Sequence, residues 1–274
     1  DLQIYKKIGE RGTQLTGYPC VSIYHDFRYH PKEVVTGAFD DWLYDHFGVF
    51  AFTVELWDLP GHAGIPARQI LEWFREHPHQ DDLKILHWLD QQVGPEAYID
   101  WYSFDHPQLG AVELGGWNTL YTWRNPPPSF MGKEAARNLP FVLSLSEMLP
   151  HLTLHTVAIA RLGQDTYRLN LVVENTGFLP TCTSQQGQKR SSARPVRVEL
   201  TLPVGVMLVS GKQRTELGHL EGRSNKLSSA YYATSPTDNR AHAEWVLQGP
   251  PGTIFKLQVH SDRAGIVQRE VQFP

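Results

Sequence analysis

The spacing of hydrophobic positions changes near Pro150, and that change divides the chain. Before it, apolar residues recur at helical intervals. Pro66–Arg75 opens with a proline suited to a first helical turn and continues with Ile70, Leu71, Trp73 and Phe74. Asp82–Leu89 predicts a second helix with an acidic first turn, and Gly132–Leu149 a longer one closed by Pro150. One early segment breaks this rhythm: Phe50–Trp57 is a β-rich apolar run that contains a single carboxylate, Glu55. After Pro150 the period becomes two. His155–Arg161, Tyr167–Val173 and Val196–Leu202 alternate, and further strands are expected at Ala243–Leu247 and Thr253–Val259. Gly, Pro and Ser separate these runs, and the polar stretch Thr183–Pro195 is expected to be a mobile loop.

This pattern predicts an α/β region over residues 1–150, followed by an all-β sandwich of immunoglobulin or fibronectin type over 151–274. Composition supports the division: seven of the eight Trp precede Pro150, with only Trp245 after it. In the 274 residues, 41% are apolar and 20% charged, enough to bury a core and too few charges for a disordered chain. Lys and Arg number 25 against 29 Asp and Glu, a net charge of −4. A nucleic-acid binder normally carries a basic excess, so no nucleic-acid partner is expected. No apolar run approaches the ~20 residues that span a bilayer, so no membrane-spanning segment is expected either. Cys20 and Cys182 are too few for a disulfide scaffold or a thiolate zinc site and are read as independent thiols. The sequence starts at Asp1 without an initiator Met or a signal segment, which suggests a piece of a longer gene product.

Glu55 is the first candidate for chemistry. A carboxylate held in an apolar strand has its charged form destabilised, which moves its pKa toward the range useful to a general base. The simpler reading is a half-exposed strand whose alternation turns Glu55 to solvent. Glu113, in a second V-E-L, offers a competing buried acid, and a Glu pair among many Trp would suit a glycosidase. Its simpler role is a packing residue beside Gly115-Gly116. His30-Pro31-Lys32-Glu33 spells H-x-x-E but has Pro inside it and is read as accidental. His77 and His79 are assigned to a solvated loop, and His151 and His155 to the approach to a strand.

Ser22-Ile23-Tyr24, Asp41-Trp42-Leu43-Tyr44 and Phe52-Thr53-Val54-Glu55-Leu56-Trp57-Asp58 followed by Gly64 resemble the C-terminal part of the catalytic domain of zinc metallocarboxypeptidases of the funnelin type. The spacing agrees too, since Trp42 precedes Glu55 by thirteen residues. Gly115-Gly116-Trp117 and Tyr121–Pro128 look like the tail region of bacterial members with longer chains. The likeness covers roughly residues 18 to 150.

The resemblance implies a partial mixed-sheet domain in which Glu55 is the general base and Tyr24 closes over substrate. Asp41 and Trp42 would shape the pocket. Asp40 would sit where the substrate's terminal side chain is read and would favour Lys or Arg. The family's zinc ligands, an H-x-x-E pair and a later His, would lie upstream of this chain, so zinc belongs to the full-length protein and none is expected here. The expected partner is a peptide substrate, cut at its C-terminal peptide bond or a related amide. An exposed sheet edge would be covered by the missing N-terminal half of the domain or by oligomerisation. The sandwich carries no cluster suggesting chemistry and is read as structural support.

The alternative is a non-catalytic binding protein. Fifteen of the nineteen Trp and Tyr precede Pro150, and exposed ones would stack on peptides or glycans. A cleft with Glu55 at its floor and Tyr24 at its rim favours the enzyme. Exposed Trp with Glu55 facing solvent favours binding.

Overall fold

The computed structural model describes every residue except 31, 66–68 and 227–234. Its elements in chain order are α1 (Leu2–Thr16), α2 (Ile23–Asp26), α3 (Phe39–Trp42) running into a π-helical turn (Leu43–Phe47), α4 (Leu59–His62), α5 (Ile70–Arg75) and α6 (His79–Gln92). Then come β1 (Tyr98–His106), β2 (Gly110–Trp117), α7 (Pro128–Glu147), β3 (Leu152–Gly163), β4 (Thr166–Asn175), α8 (Gln185–Lys189), β5 (Val196–Thr201), β6 (Met207–Ser210), β7 (Arg214–Gly218), β8 (Arg240–Gln248), β9 (Ile254–Ser261) and β10 (Gly265–Gln272). Two compact units result. One combines Asp1–Gly9, Gly37–Phe52 and Leu143–Pro274; the other combines Glu10–Thr36 and Thr53–Val142. The units are thus interleaved in sequence. No helix among the described residues is long and apolar enough to cross a membrane.

The first unit contains a β-sandwich. Its two four-stranded sheets have the orders β3-β4-β8-β6 and β10-β9-β5-β7, with every pairing antiparallel. Period-two patterning places Leu169, Leu171 and Val173 of β4 on the inner face, opposite Val198 and Leu200 of β5 and Leu257 and Val259 of β9. Each such side chain contributes about 1.5–3 kcal/mol by leaving water. Tyr167 and Phe273 stack at 4.4 Å across this core, and Trp245 anchors β8 by donating its indole N–H to the Lys212 carbonyl at 2.8 Å. The strands expected after Pro150 are all present. Periodicity missed β6 and β7, which are short, and β10, most of whose residues stay exposed.

The expected mobile loop at 183–195 is instead fixed. Ser184 caps α8 by accepting from the Gly187 N–H, and it donates to the Gly48 carbonyl at 2.6 Å. The Asp1 carboxylate accepts from the N–H groups of Gln185 and Gln186 at the same helix start. Polarity in this segment reflects capping and cross-chain hydrogen bonding, which composition alone does not distinguish from solvation.

The second unit packs around Trp57, Leu59, Ile65, Trp73, Ile85 and Leu89. Ile85 and Leu89 lie one turn apart on α6, as the helical spacing predicted. The predicted helix at 66–75 is seen from Ile70 to Arg75, while its proposed start at Pro66 falls outside the described residues. The sole sheet among this unit's described residues is the antiparallel β1–β2 hairpin, whose strands close on Gly115: a Cβ there would stand 2.7 Å from the Cα of Trp101. No mixed sheet is seen among them.

Candidate functional site

The residues singled out by sequence fall on two different units. Tyr24 and Glu55 belong to the second unit, whereas Asp40, Asp41 and Trp42 belong to the first. Tyr24 sits in the one-turn helix α2, capped by Ser22, and is 53% exposed, with the Arg28 guanidinium 4.0 Å from its ring centre. Asp40, Asp41 and Trp42 lie on α3, where Trp42 stacks on Phe39 at 5.8 Å and meets Phe47 edge-on at 4.9 Å. Trp42 stays partly exposed, and the Asp40 carboxylate accepts from the Asp41 N–H at 3.2 Å.

Glu55 corrects the sequence expectation. Residues 51–58 are irregular rather than a strand, and Glu55 is exposed together with Val54 and Leu56. An apolar run forms a ladder only when a neighbouring strand satisfies its N–H and C=O groups. The described residues supply no such neighbour, so the apolar enclosure required by the buried-carboxylate reading is absent here. Glu113 is likewise exposed, opposite Ser103 on the hairpin.

What fixes the end of the Glu55 segment is Trp57. It adopts a left-handed backbone with φ of 79°, a conformation that costs of order 1–3 kcal/mol in a bulky residue. Burial offsets that cost, as do an indole N–H donated to the Thr122 carbonyl at 2.6 Å and stacking on His62 at 4.4 Å. The Trp57 backbone N–H also donates to the Tyr18 hydroxyl oxygen at 3.3 Å.

Tyr18 leads to a cluster that sequence reading missed. Its hydroxyl donates to the carboxylate of Glu134, which is buried on α7. His62 Nε2 lies 3.6 Å and Arg137 Nη1 3.5 Å from the same carboxylate. Burial, then the bond to Glu134, pushes the Tyr18 phenol above its ordinary pKa. A buried carboxylate is tolerated because three partners surround it. Through Glu134 the cluster joins Tyr18, which accepts from the Trp57 N–H, to His62, which stacks on the Trp57 ring, and so anchors the segment ending two residues after Glu55. The signal available in sequence was the Glu134–Arg137 spacing, which places both residues on one helix face.

His77 is less solvated than expected. It stacks on Trp73 at 4.2 Å, and its two ring nitrogens meet the Trp73 carbonyl at 2.8 Å and Asp82 Oδ1 at 3.1 Å. His30 and Glu33 lie in an exposed turn, the Glu33 N–H donating to the His30 carbonyl at 3.0 Å; Pro31 falls outside the described residues. His155 lies on β3, 3.2 Å from Glu174. Among the described residues no group of three or more His, Cys, Asp or Glu is placed to hold a metal ion. The zinc implied by the resemblance therefore finds no fitting ligand set within them.

The profile of a family described as a domain of unknown function (DUF8731) matches residues 151–272, the region of the sandwich. No curated protein sequence matches the chain. Among solved structures, the chain is similar to the GAE domain of yeast GGA1, at 14% identity and a TM-score of 0.29, over 45% of this chain and 92% of that one. The GAE domain of GGA2p from Saccharomyces cerevisiae gives 11% identity and a TM-score of 0.23, over 45% and 95%. DesR, a β-glucosidase from Streptomyces venezuelae, gives 10% and 0.21, over 46% of this chain and 15% of that one. Likenesses this slight carry no function across, and the sandwich described above rests on its own strand pairing.

Proposed function

We propose that this chain is the C-terminal portion of a zinc-dependent metallocarboxypeptidase that removes residues from the C-termini of peptides. One observation carries the reading: Phe52-Thr53-Val54-Glu55-Leu56-Trp57-Asp58 follows Asp41-Trp42-Leu43-Tyr44 at a spacing of thirteen residues, with Ser22-Ile23-Tyr24 upstream. Glu55 takes a proton from the attacking water and returns it to the leaving amine. Tyr24 covers the substrate, and Asp40, Asp41 and Trp42 shape the pocket for the terminal side chain. The metal ligands are assigned to sequence preceding Asp1, and the fragment alone is inactive in this reading.

Three features support the proposal. Tyr24 and Glu55, the covering residue and the base of this reading, share one compact unit. Val54 and Leu56 flank Glu55 and are also exposed, apolar surface open to covering by a further part of the domain. The segment is held at Trp57 by bonds that do not involve Glu55 itself. The test is release of free C-terminal amino acids from peptides by the complete protein, with loss on chelation and recovery on adding zinc. Release unaffected by chelation contradicts the proposal.

A second reading draws on a different observation. Trp101 is 60% exposed and Tyr102 is also exposed on β1, which with solvent-facing Glu55 fits a non-catalytic peptide- or glycan-binding surface. Saturable peptide or glycan binding by the complete protein without any hydrolysis, lost on Trp101→Ala, selects this reading over the first.

A further inference from the structure

A half-open pocket of about 310 Å³ lies within the unit that contains the sandwich. Ile8, Val49, Phe50, Met148 and Leu179 form apolar wall, and Arg263 and Thr183 add two polar side chains. That volume is at the lower end of the ~300–1,000 Å³ typical of small-molecule sites. The balance of an apolar lining with a few convergent polar groups is typical of them as well.

Arg263 stands in the turn between β9 and β10. Its Nη1 donates to Thr183 Oγ1 at 3.1 Å, and its Nη2 donates to Ser192 Oγ at 3.1 Å and to the Phe47 carbonyl. All three acceptors are neutral. Among the described residues no carboxylate lies within 4.0 Å of this guanidinium. The adjacent Asp262 is turned to Arg194 at 3.4 Å and His260 at 3.8 Å. Burial holds the Arg263 pKa below the usual guanidinium value. The group is half-buried, and the neighbouring Asp262 carboxylate, though turned to Arg194 and His260, offsets part of that burial by charge. Three of its five N–H donors are used in these bonds, so others are left for a ligand.

We propose that this pocket binds an aliphatic carboxylate, its anionic head on Arg263 and its hydrocarbon chain against Ile8, Val49, Phe50 and Met148. A single negative end matches the one guanidinium of the lining, which keeps free N–H donors, and the apolar body matches the walls. Met148 is a flexible side chain that can settle around a chain without a fixed shape. This site belongs to a different unit from Tyr24 and Glu55 and does not depend on the peptidase reading.

The test is calorimetric titration of the whole chain with decanoate, decan-1-ol and N-acetyl-leucine. Decanoate is expected to bind saturably at one site. Decan-1-ol, lacking the charge, should bind about ten-fold more weakly or worse. N-acetyl-leucine, which represents peptide C-termini, should also bind at least about ten-fold more weakly, because its apolar part is short. Arg263→Gln should bring decanoate down to the level of decan-1-ol. Arg263 also ties together Thr183, Ser192 and Phe47, so a second variant is needed: Met148→Trp fills the apolar side, leaves those bonds in place and should abolish decanoate binding. No binding at millimolar decanoate overturns the proposal, as does equal binding of acid and alcohol. So do a preference for N-acetyl-leucine and decanoate binding untouched by Met148→Trp.

Discussion

The backbones of Gly48 and Gly187 meet so closely that a Cβ built on Gly48 would stand 2.1 Å from the Cα of Gly187. Gly48 also takes a left-handed conformation, φ 60°, where it ends the π-helical turn. Two independent demands therefore exclude a side chain there. Gly48→Ala is expected to destabilise its unit by about 3 kcal/mol or more, combining backbone strain with overpacking. Urea unfolding followed by circular dichroism measures it, and a loss below about 1 kcal/mol contradicts the close approach.

Asn175 is buried at the end of β4 with its amide fully used. It donates to the carbonyls of Leu179 (2.8 Å) and Glu221 (3.0 Å) and accepts from the N–H groups of His151 (2.9 Å) and Gly177 (3.0 Å). Asn175→Ala leaves four backbone groups unpaired at once. A loss of at least about 3 kcal/mol is expected, because each buried orphan costs ~1–3 kcal/mol. Asn175→Asp should be harmful as well, since a carboxylate cannot donate to the two carbonyls. An unchanged urea midpoint in either variant would refute this role.

His77 gives the second unit a pH dependence. The bond to Asp82 raises its pKa, with smaller contributions from the Trp73 carbonyl and the nearby Asp81, and burial works against them. Lys84 pairs with Asp81 at 2.9 Å, and His79 Nδ1 lies 3.6 Å from the other carboxylate oxygen of Asp82. A group whose pKa is higher folded than unfolded stabilises fully below its unfolded value, ~6.5. That contribution disappears as pH rises through the folded value. The effect is under about 1 kcal/mol because the pair is partly exposed. His77→Gln should flatten the stability profile across the range above pH ~6.5, which thermal melts at stepped pH will show.

The two thiols should differ in reactivity. Cys182 is buried, and burial pushes its pKa up to about 11; Cys20 is exposed, with its pKa raised by partial burial and by Glu10 and Asp26. Thiolate is the reactive form, so iodoacetamide at pH 8 should label Cys20 first and leave Cys182 until unfolding. Peptide mass mapping reads the order directly, and early labelling of Cys182 contradicts its burial.

Sequence patterning located the sandwich because β4, β5, β8 and β9 each bury alternate residues, and α6 because Ile85 and Leu89 recur at a helical interval. It failed where pairing depends on distant chain. Phe50–Trp57 has the composition of a strand, yet no described neighbour forms a ladder with it. The Thr183–Pro195 stretch looked solvated because its polar groups bond to Asp1, Phe47 and Gly48, far away in sequence. Tyr18 and Glu134 are separated by 116 positions, and only folding brings them together.

The most direct test of the account is kcat of Glu55→Gln in the complete protein, measured at saturating peptide. Gln keeps the shape and hydrogen bonding of Glu but takes up no proton, so folding and substrate binding should survive. A general acid–base group contributes ~10²–10⁴-fold, and here one group serves both proton transfers, so the loss should reach about 10⁴-fold, mostly in kcat. Glu113→Gln, a comparably exposed Glu in the other V-E-L, should stay within a few-fold of wild type. A Glu55→Gln enzyme that keeps more than about a tenth of wild-type kcat contradicts the account and makes Glu55 an ordinary surface residue.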